Sequence, residues 1–258
     1  MAYARAETLD EALALLGEPD AKVLAGGQSL VPALNMRLLR PALLVDVNRT
    51  SGLDEVVELE GGGLRVGATV RQADARLCTH PVLAEVLPHV GHTVTRNRGT
   101  VCGSIAHADA AAELPLALLA LEGSAVVASV RGRREISARE LFLGPFTTAL
   151  EPDELLVETV WPRLDQGEGF AFEELAQRGG DFALCMAAAR VRGDELKVVV
   201  GSVTPAPTAL DVDPERPGAS AAEQVEPWGS IHASPSYLRD LVRVLVDRAV
   251  ARARQRAA

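Results

Sequence analysis

Two clusters of small residues stand out as the places where this chain could do chemistry: Ala25-Gly26-Gly27-Gln28-Ser29 and Thr100-Val101-Cys102-Gly103-Ser104. Each interrupts an apolar run with glycine and hydroxyl side chains, the composition a backbone needs to wrap closely around an anion. In the second cluster Thr100 and Ser104 offer hydroxyl donors to phosphate oxygens, and Gly103 permits close approach. Successive N–H groups there are expected to form an anion nest. Glu113 opens a short helix just beyond. It either accepts hydrogen bonds from sugar or ribityl hydroxyls, or simply places an acid in a first helical turn. Neither cluster is a standard nucleotide fingerprint: the chain has no G-x-G-x-x-G at a strand-to-helix turn and no G-x-x-x-x-G-K-[ST].

Competing chemistries are weaker. Ser104, His107 and Asp109 are neighbours on one loop with no G-x-S-x-G elbow, so they make a poor hydrolase triad. Asp181 with Arg178 reads as a structural ion pair or a turn, and Cys102 as a small residue filling a glycine position rather than a reactive thiol. The five histidines show no zinc spacing, and no metal site is expected. Cys78, Cys102 and Cys185 form no C-x-x-C pair and read as reduced thiols of a cytoplasmic protein. The formal net charge of −9 argues against nucleic acid or an anionic membrane as partner. The two arginine groups, Arg131-Gly132-Arg133-Arg134 and the C-terminal helix, read as a hairpin turn and a solvated face. No apolar run approaches membrane-spanning length, so no membrane insertion is expected, and Met1 to Arg5 has no signal-peptide core.

The elements that must position the clusters follow from caps and periodicity. Thr8-Leu9-Asp10-Glu11 is a capping box for a helix that Gly17 stops, and Lys22–Ala25 is a short strand running into the first cluster. Leu43–Val47 reads as a buried strand, and Val56–Leu59 with Leu64–Ala68 as a hairpin. Thr69 to Gln72 is expected to cap a helix, and Pro81 to Gly91 to form another. A helix at Glu113–Leu121, a hairpin at Val126–Ile136 and a strand at Leu155–Trp161 follow. Beyond Asp165, the runs Phe170–Ala176, Phe182–Val191 and Leu196–Val203 predict an antiparallel meander. Thr204–Gly229 reads as an extended surface crossing, and the chain closes with a helix capped at Ser234 with Pro235 in its first turn.

With their flanks, both clusters resemble the signatures of a known family. The run Ala25-Gly26-Gly27-Gln28-Ser29-Leu30-Val31-Pro32 through Arg40-Pro41 is similar to its first motif. The run Arg96-Asn97-Arg98-Gly99-Thr100-Val101-Cys102-Gly103-Ser104 through Glu113-Leu114-Pro115 is similar to its second. Gly179-Gly180-Asp181-Phe182-Ala183 and the closing His232 to Arg239 resemble later landmarks. The family is the FAD-binding (medium) subunit of molybdenum hydroxylases, which includes the carbon monoxide dehydrogenase flavoprotein and the flavin domain of xanthine dehydrogenase.

The resemblance implies an α+β fold of the PCMH type (vanillyl-alcohol-oxidase-like). Its FAD-binding domain would span 1–164, in two α/β subdomains of about 1–53 and 54–164, and a smaller C-terminal α+β domain would span 165–258. It implies that Leu24, Ala25, Gly26, Gly27, Gln28, Ser29 and Leu30, with Thr100, Val101, Cys102, Gly103 and Ser104, cradle the FAD pyrophosphate. Asp109 would join the cofactor site, Glu113 would hold its acidic contact and Val157 would lie near the isoalloxazine ring. Electrons would arrive from an iron–sulfur small subunit, fed by a molybdopterin large subunit, and leave to a small-molecule acceptor such as NAD, quinone or oxygen. The alternative is a stand-alone FAD-dependent oxidase or dehydrogenase of a small organic molecule. Three departures mark this chain: Cys102 for the first glycine of T-[IV]-G-G, Ala110 for a usual proline, and Glu173 where some relatives carry a lysine near the flavin.

Overall fold

The computed structural model describes residues 1–258. Strand β1 (Ala2–Arg5), helix α1 (Leu9–Leu16), strand β2 (Ala21–Leu24), helix α2 (Leu30–Asn35) and strand β3 (Leu43–Asp46) build a parallel sheet of order β1-β3-β2. The sequence reading missed β1, a mostly exposed edge strand with no alternating apolar face. As expected, the Thr8 hydroxyl caps α1 by accepting from the Glu11 N–H at 3.2 Å. Because β2 and β3 run parallel, their C-terminal ends lie side by side, and the first glycine cluster crosses just beyond them.

The second layer begins with β4 (Val56–Glu58) and β5 (Leu64–Gly67), then α3 (Pro81–Val86), α4 (Thr93–Arg96), α5 (Val101–His107) and α6 (Glu113–Ala120). It continues through β6 (Ser124–Ser129), β7 (Gly132–Ser137), α7 (Ala138–Leu141), the short ribbon β8 (Phe142–Gly144) and β9 (Thr147–Thr148), and β10 (Leu155–Trp161). Its antiparallel sheet has the order β4-β5-β10-β6-β7. Thr69 to Gln72 does not cap a helix: the Gln72 N–H donates to the Gly99 carbonyl at 2.9 Å, and the Val101 N–H to the Val70 carbonyl at 3.1 Å. Asp74 is the cap instead, accepting from the Arg76 N–H at 2.9 Å at the head of a 3₁₀ turn.

The meander appears as β11 (Glu168–Ala176), β12 (Ala183–Arg192) and β13 (Glu195–Gly201), joined by a fourth strand β14 (Thr208–Leu210). Both faces of this sheet are buried. Along β12, Met186 and Ala188 join the core under α6, while Cys185, Ala187 and Ala189 face a second core, the period-two alternation of a strand between two layers. Thr204–Gly229 is therefore no surface crossing: it supplies β14 and helix α8 (Pro217–Gln224), in which Pro217, Ser220, Ala221 and Ala222 are buried. Its small residues, which read as extended, let α8 pack tightly on helix α9 (Pro235–Ala257), with the Gly218 N–H donating to Asp247 Oδ1 at 2.8 Å.

Helix α9 buries Leu238, Val242, Leu245, Val246, Ala249 and Ala253 at three- and four-residue spacing. Its arginines are not all solvated. Arg252 reaches the Phe172 carbonyl at 3.1 Å, Glu85 at 3.0 Å and Glu173, and Arg256 pairs with Glu85 and the Phe170 carbonyl. The three cysteines are free thiols, and no helix is long and apolar enough to cross a membrane.

Candidate functional site

The first cluster forms a tight turn between β2 and α2. Gly27 sits at φ +72°, the left-handed region that favours glycine. The turn leaves four successive amides, Gly26, Gly27, Gln28 and Ser29, without a backbone or side-chain acceptor, the arrangement of an anion nest. Ser29 stands at the head of α2 but makes no side-chain cap bond. A cavity of about 340 Å³ opens here, lined by Leu24 to Gln28, Val31, Asp46, Asn48 and Arg98.

Two polar side chains, Asn48 and Arg71, hold the turn in place, and sequence reasoning did not single them out as site residues. Asn48 Nδ2 donates to the Ala25 carbonyl at 2.9 Å and the Leu24 carbonyl at 3.3 Å. Arg71 Nη2 donates to Asn48 Oδ1 at 2.6 Å, and Arg71 Nη1 to the Arg98 carbonyl at 2.5 Å. One guanidinium thus ties the first cluster to the segment that leads into the second. Burial and the neighbouring Arg98 charge lower Arg71, against the pull of Asp46. Burial alone would raise Asp46, but the Tyr3 hydroxyl and the Asn48 donors hold it below the usual carboxylate range. Gly26 is the contact point between the two segments: it packs directly against the backbone of Arg98 and Gly99.

Replacing Asn48 by alanine is expected to cost about 1–3 kcal/mol, since two carbonyls lose their donor and a half-buried guanidinium loses an acceptor. Thermal unfolding of the variant measures it. An unchanged Tm would show that solvent satisfies these groups equally well.

The second cluster is a helix start rather than a loop. Thr100 is the N-cap, and its Oγ1 accepts from the Gly103 N–H at 2.9 Å. The Val101 N–H is taken by Val70 and the Ser104 N–H by the Thr100 carbonyl. The expected row of free amides is therefore not here, because capping and strand-like pairing consume it. Thr100, Val101 and Cys102 are buried, whereas Gly103 and Ser104 are half-exposed. Cys102 lies in the helix with its thiol donating into the core, to the Val66 carbonyl at 3.3 Å. Burial pushes that thiol up to about 12, against its hydrogen bond to Thr159, so it holds no thiolate. Its backbone is not left-handed, and its side chain is turned to Val66 and Thr159.

The remaining predicted residues separate into open and buried positions. Leu24, Ala25 and Gly27 are half-buried in the cavity lining, Leu30 is half-buried outside it, and Gln28 and Ser29 are exposed. Asp109 is half-buried, and its Oδ1 accepts from the Ala111 N–H at 2.9 Å, turning the chain between α5 and α6. Ala108 takes the left-handed conformation at that turn. Val157 is buried in the core of the second layer, at a bulge in β10. Ser104, His107 and Asp109 make no hydrogen bond with one another. Gly179–Phe182 is a turn, closed by the Asp181 N–H on the Arg178 carbonyl at 3.1 Å.

Glu113 opens α6 at only 5% exposure. Burial raises its carboxyl to about 7; Asp109 adds to the rise, while its own backbone amide and Arg96 oppose it. Glu173 does not face this group. Its carboxylate is held by Arg252 of α9, and it is the next residue, Glu174, that feels the Glu113 charge. Glu173 therefore brings its charge to the α3–α9 side of the sheet, where an arginine neutralises it.

The four free amides, the left-handed glycine and the cavity fit a diphosphate-bearing ligand such as FAD: a Cβ at either Gly26 or Gly27 would enter the cradle's walls. Residues 1–164 match the model of a family described as the FAD binding domain in molybdopterin dehydrogenase. The chain is 38% identical, over 99% of its length and 95% of that protein, to the 6-hydroxypseudooxynicotine dehydrogenase complex subunit alpha of Paenarthrobacter nicotinovorans. It is 36% identical to the nicotine 6-hydroxylase medium subunit of the same organism, over 97% of this chain and 96% of that protein. Among solved structures, carbon monoxide dehydrogenase from Hydrogenophaga pseudoflava, in a form lacking the Mo-pyranopterin moiety, matches with a TM-score of 0.93 and 29% identity. That match covers 100% of this chain and 98% of the other.

Proposed function

The chain belongs to the family of FAD-binding domains of molybdopterin dehydrogenases, and from that membership we propose that it carries electrons through FAD for a multi-subunit molybdenum hydroxylase. Bound FAD supplies a redox centre able to take electrons singly and pass them on in pairs. The chain's own part is to bind and orient it. The observation that carries this reading is the first cluster, where the amides of Gly26, Gly27, Gln28 and Ser29 stand without an acceptor in the turn that lines the cavity. They would hold the pyrophosphate, with Leu24 and Ala25 in the cavity lining, Leu30 following at the head of α2, and the half-exposed Gly103 and Ser104 completing the grip from α5. Thr100, Val101 and Cys102 support that grip from beneath, Asp109 shapes the α5–α6 turn, and Glu113 presents the acidic contact. Val157 backs the ring-binding region through packing.

On this reading 1–164 form the cofactor domain and 165–258 a C-terminal domain that closes on it. The electron donor is an iron–sulfur subunit paired with a molybdopterin subunit, and the acceptor is a small molecule. Three free thiols suit a cytoplasmic location. The purified chain is expected to be yellow with a flavin spectrum and to oxidise no hydroxylase substrate until partner subunits are added. Substrate oxidation by the isolated chain would favour a stand-alone oxidase instead, and a colourless protein that takes up no FAD would overturn both.

A further inference from the structure

The cavity beside the first cluster carries one charge of each sign. Of the residues that line it, only Arg98 and Asp46 are charged. The Arg98 side chain is exposed, donates to no acceptor and forms no ion pair, yet its backbone is pinned. Its N–H donates to the Thr95 carbonyl at 3.1 Å, and its carbonyl accepts from Arg71 Nη1 at 2.5 Å. Gly26 packs against that same carbonyl. The guanidinium therefore starts from a fixed point beside the turn that bears the four free amides. Arg71 cannot take its place. Its terminal nitrogens are committed to Asn48 Oδ1 and to the Arg98 carbonyl, and it does not line the cavity.

Asp46 ends β3, and the strand register places it beside Leu24, the last residue of the strand that runs into the cluster. Its Oδ1 accepts from the Asn48 N–H at 2.9 Å and from Asn48 Nδ2 at 2.6 Å, and its Oδ2 accepts from the Tyr3 hydroxyl at 2.7 Å. An ionised carboxylate offers about four acceptor positions, so Oδ2 keeps room for a further donor. Burial would raise the Asp46 pKa, but the Tyr3 and Asn48 donors outweigh it and keep the group ionised at neutral pH. Such a wall repels a phosphate oxygen and accepts from a hydroxyl. At the turn the preference is reversed, because free N–H groups and an unpaired guanidinium favour an anion.

We propose that Arg98 and Asp46 set how the cofactor lies in this cavity: Arg98 clamps a phosphate of the diphosphate against the first cluster, and Asp46 accepts a hydroxyl of the adjoining sugar. The proposal rests on the FAD reading above. FAD flanks its diphosphate with two polyols, the ribose of the adenosine half and the ribityl chain of the flavin half. Both carry the hydroxyl chemistry that Asp46 recognises.

The test uses the full chain stripped of flavin, with binding read by calorimetry. Arg98→Gln, which breaks no bond within the protein, is expected to weaken FAD at least about tenfold. Its FAD affinity should also fall less steeply with added salt than that of the native chain, and Arg98→Lys should restore the steeper fall. For Asp46 the probes are two FAD analogues, one lacking the ribose hydroxyls and one lacking those of the ribityl chain. One of them is expected to bind the native chain at least about fivefold more weakly than FAD, which identifies the sugar, and Asp46→Asn should narrow that gap to less than about twofold. A native chain that binds FAD would overturn this proposal alone if Arg98→Gln matched it in affinity and salt dependence. The same holds if neither analogue were weakened, or if the gap persisted in Asp46→Asn. A native chain that takes up no FAD would overturn the functional reading and this proposal with it.

Discussion

Valine in place of Gly26 is expected to strip the chain of FAD. A Cβ at this position falls 2.4 Å from the Arg98 carbonyl oxygen, 2.9 Å from Gly99 Cα and 3.1 Å from the Arg98 carbonyl carbon. All three are backbone atoms, and they cannot swing aside as a side-chain tip would. The Arg98 carbonyl is held by Arg71 at 2.5 Å, and the Gly99 carbonyl by the Gln72 N–H at 2.9 Å. The first cluster has to withdraw instead, and its four free amides are carried away from the cavity. The expected loss in FAD affinity is at least about 100-fold, or about 2.7 kcal/mol. The far-UV circular dichroism should be retained, because the buried contact between Gly26 and Gly99 belongs to neither hydrophobic core. Gly144→Ala is the matched control: its Cβ would meet nothing within 4 Å, and it should bind FAD normally. A Gly26→Val protein that retains native FAD affinity would remove the first cluster from the cofactor site.

Much of the scaffold is legible in the sequence because the signals are local. Thr8 with Glu11, and Ser234 with Pro235, mark helix starts through capping chemistry, and both hydroxyls accept the bonds their spacing predicts. The meander is legible from alternation and the Gly193 turn. The first cluster is legible because a turn at φ +72° needs a residue like Gly27. The second cluster misleads for a physical reason. Threonine, valine, cysteine and glycine are all weak helix formers, yet burial of Val101 and Ile105, one turn apart, and the Thr100 cap impose a helix. The departure at Cys102, alarming if that position lined a phosphate loop, becomes a packing substitution once its thiol is seen to face Val66.

The residues that set the site's geometry are not legible at all. Asn48, Arg71 and Arg98 are scattered polar residues on segments that meet only in the folded chain. No spacing rule links them. Glu174 is hidden in another way: beside Glu173 in sequence it looks like one of two equivalent surface acids, and only the strand's facing makes one paired and the other orphaned.

Removing the Arg190 side chain is expected to be the most destabilising single change in the polar framework. Arg190 lies on β12, where its Nη2 donates to both oxygens of Glu168 at 2.9 Å and its Nε to Oε2 at 3.2 Å. The Glu168 side chain is completely buried. Arg190 also reaches the Leu121 carbonyl at 3.4 Å and the Glu122 carboxylate at 3.7 Å. Glu122, at φ +57° beyond α6, gathers Lys197 at 2.5 Å and Arg139 at 2.6 Å, and these two hold its carboxyl down at about 2. The cluster ties the C-terminal sheet to the end of α6, so its loss loosens the layer that carries Glu174. Arg190→Leu leaves Glu168 with only the Asp165 N–H at 3.2 Å and the exposed Arg192 at 3.5 Å. Orphaning a buried charge costs about 3–5 kcal/mol; Arg192 offsets part of it, so about 3 kcal/mol is expected. That corresponds to a fall in Tm of roughly 10 °C. Replacing both partners, Arg190→Leu with Glu168→Leu, should recover most of the loss, because a well-packed apolar pair carries no desolvation penalty. If the double variant unfolds at or below the Tm of Arg190→Leu, the cost lies in lost packing rather than in the stranded carboxylate.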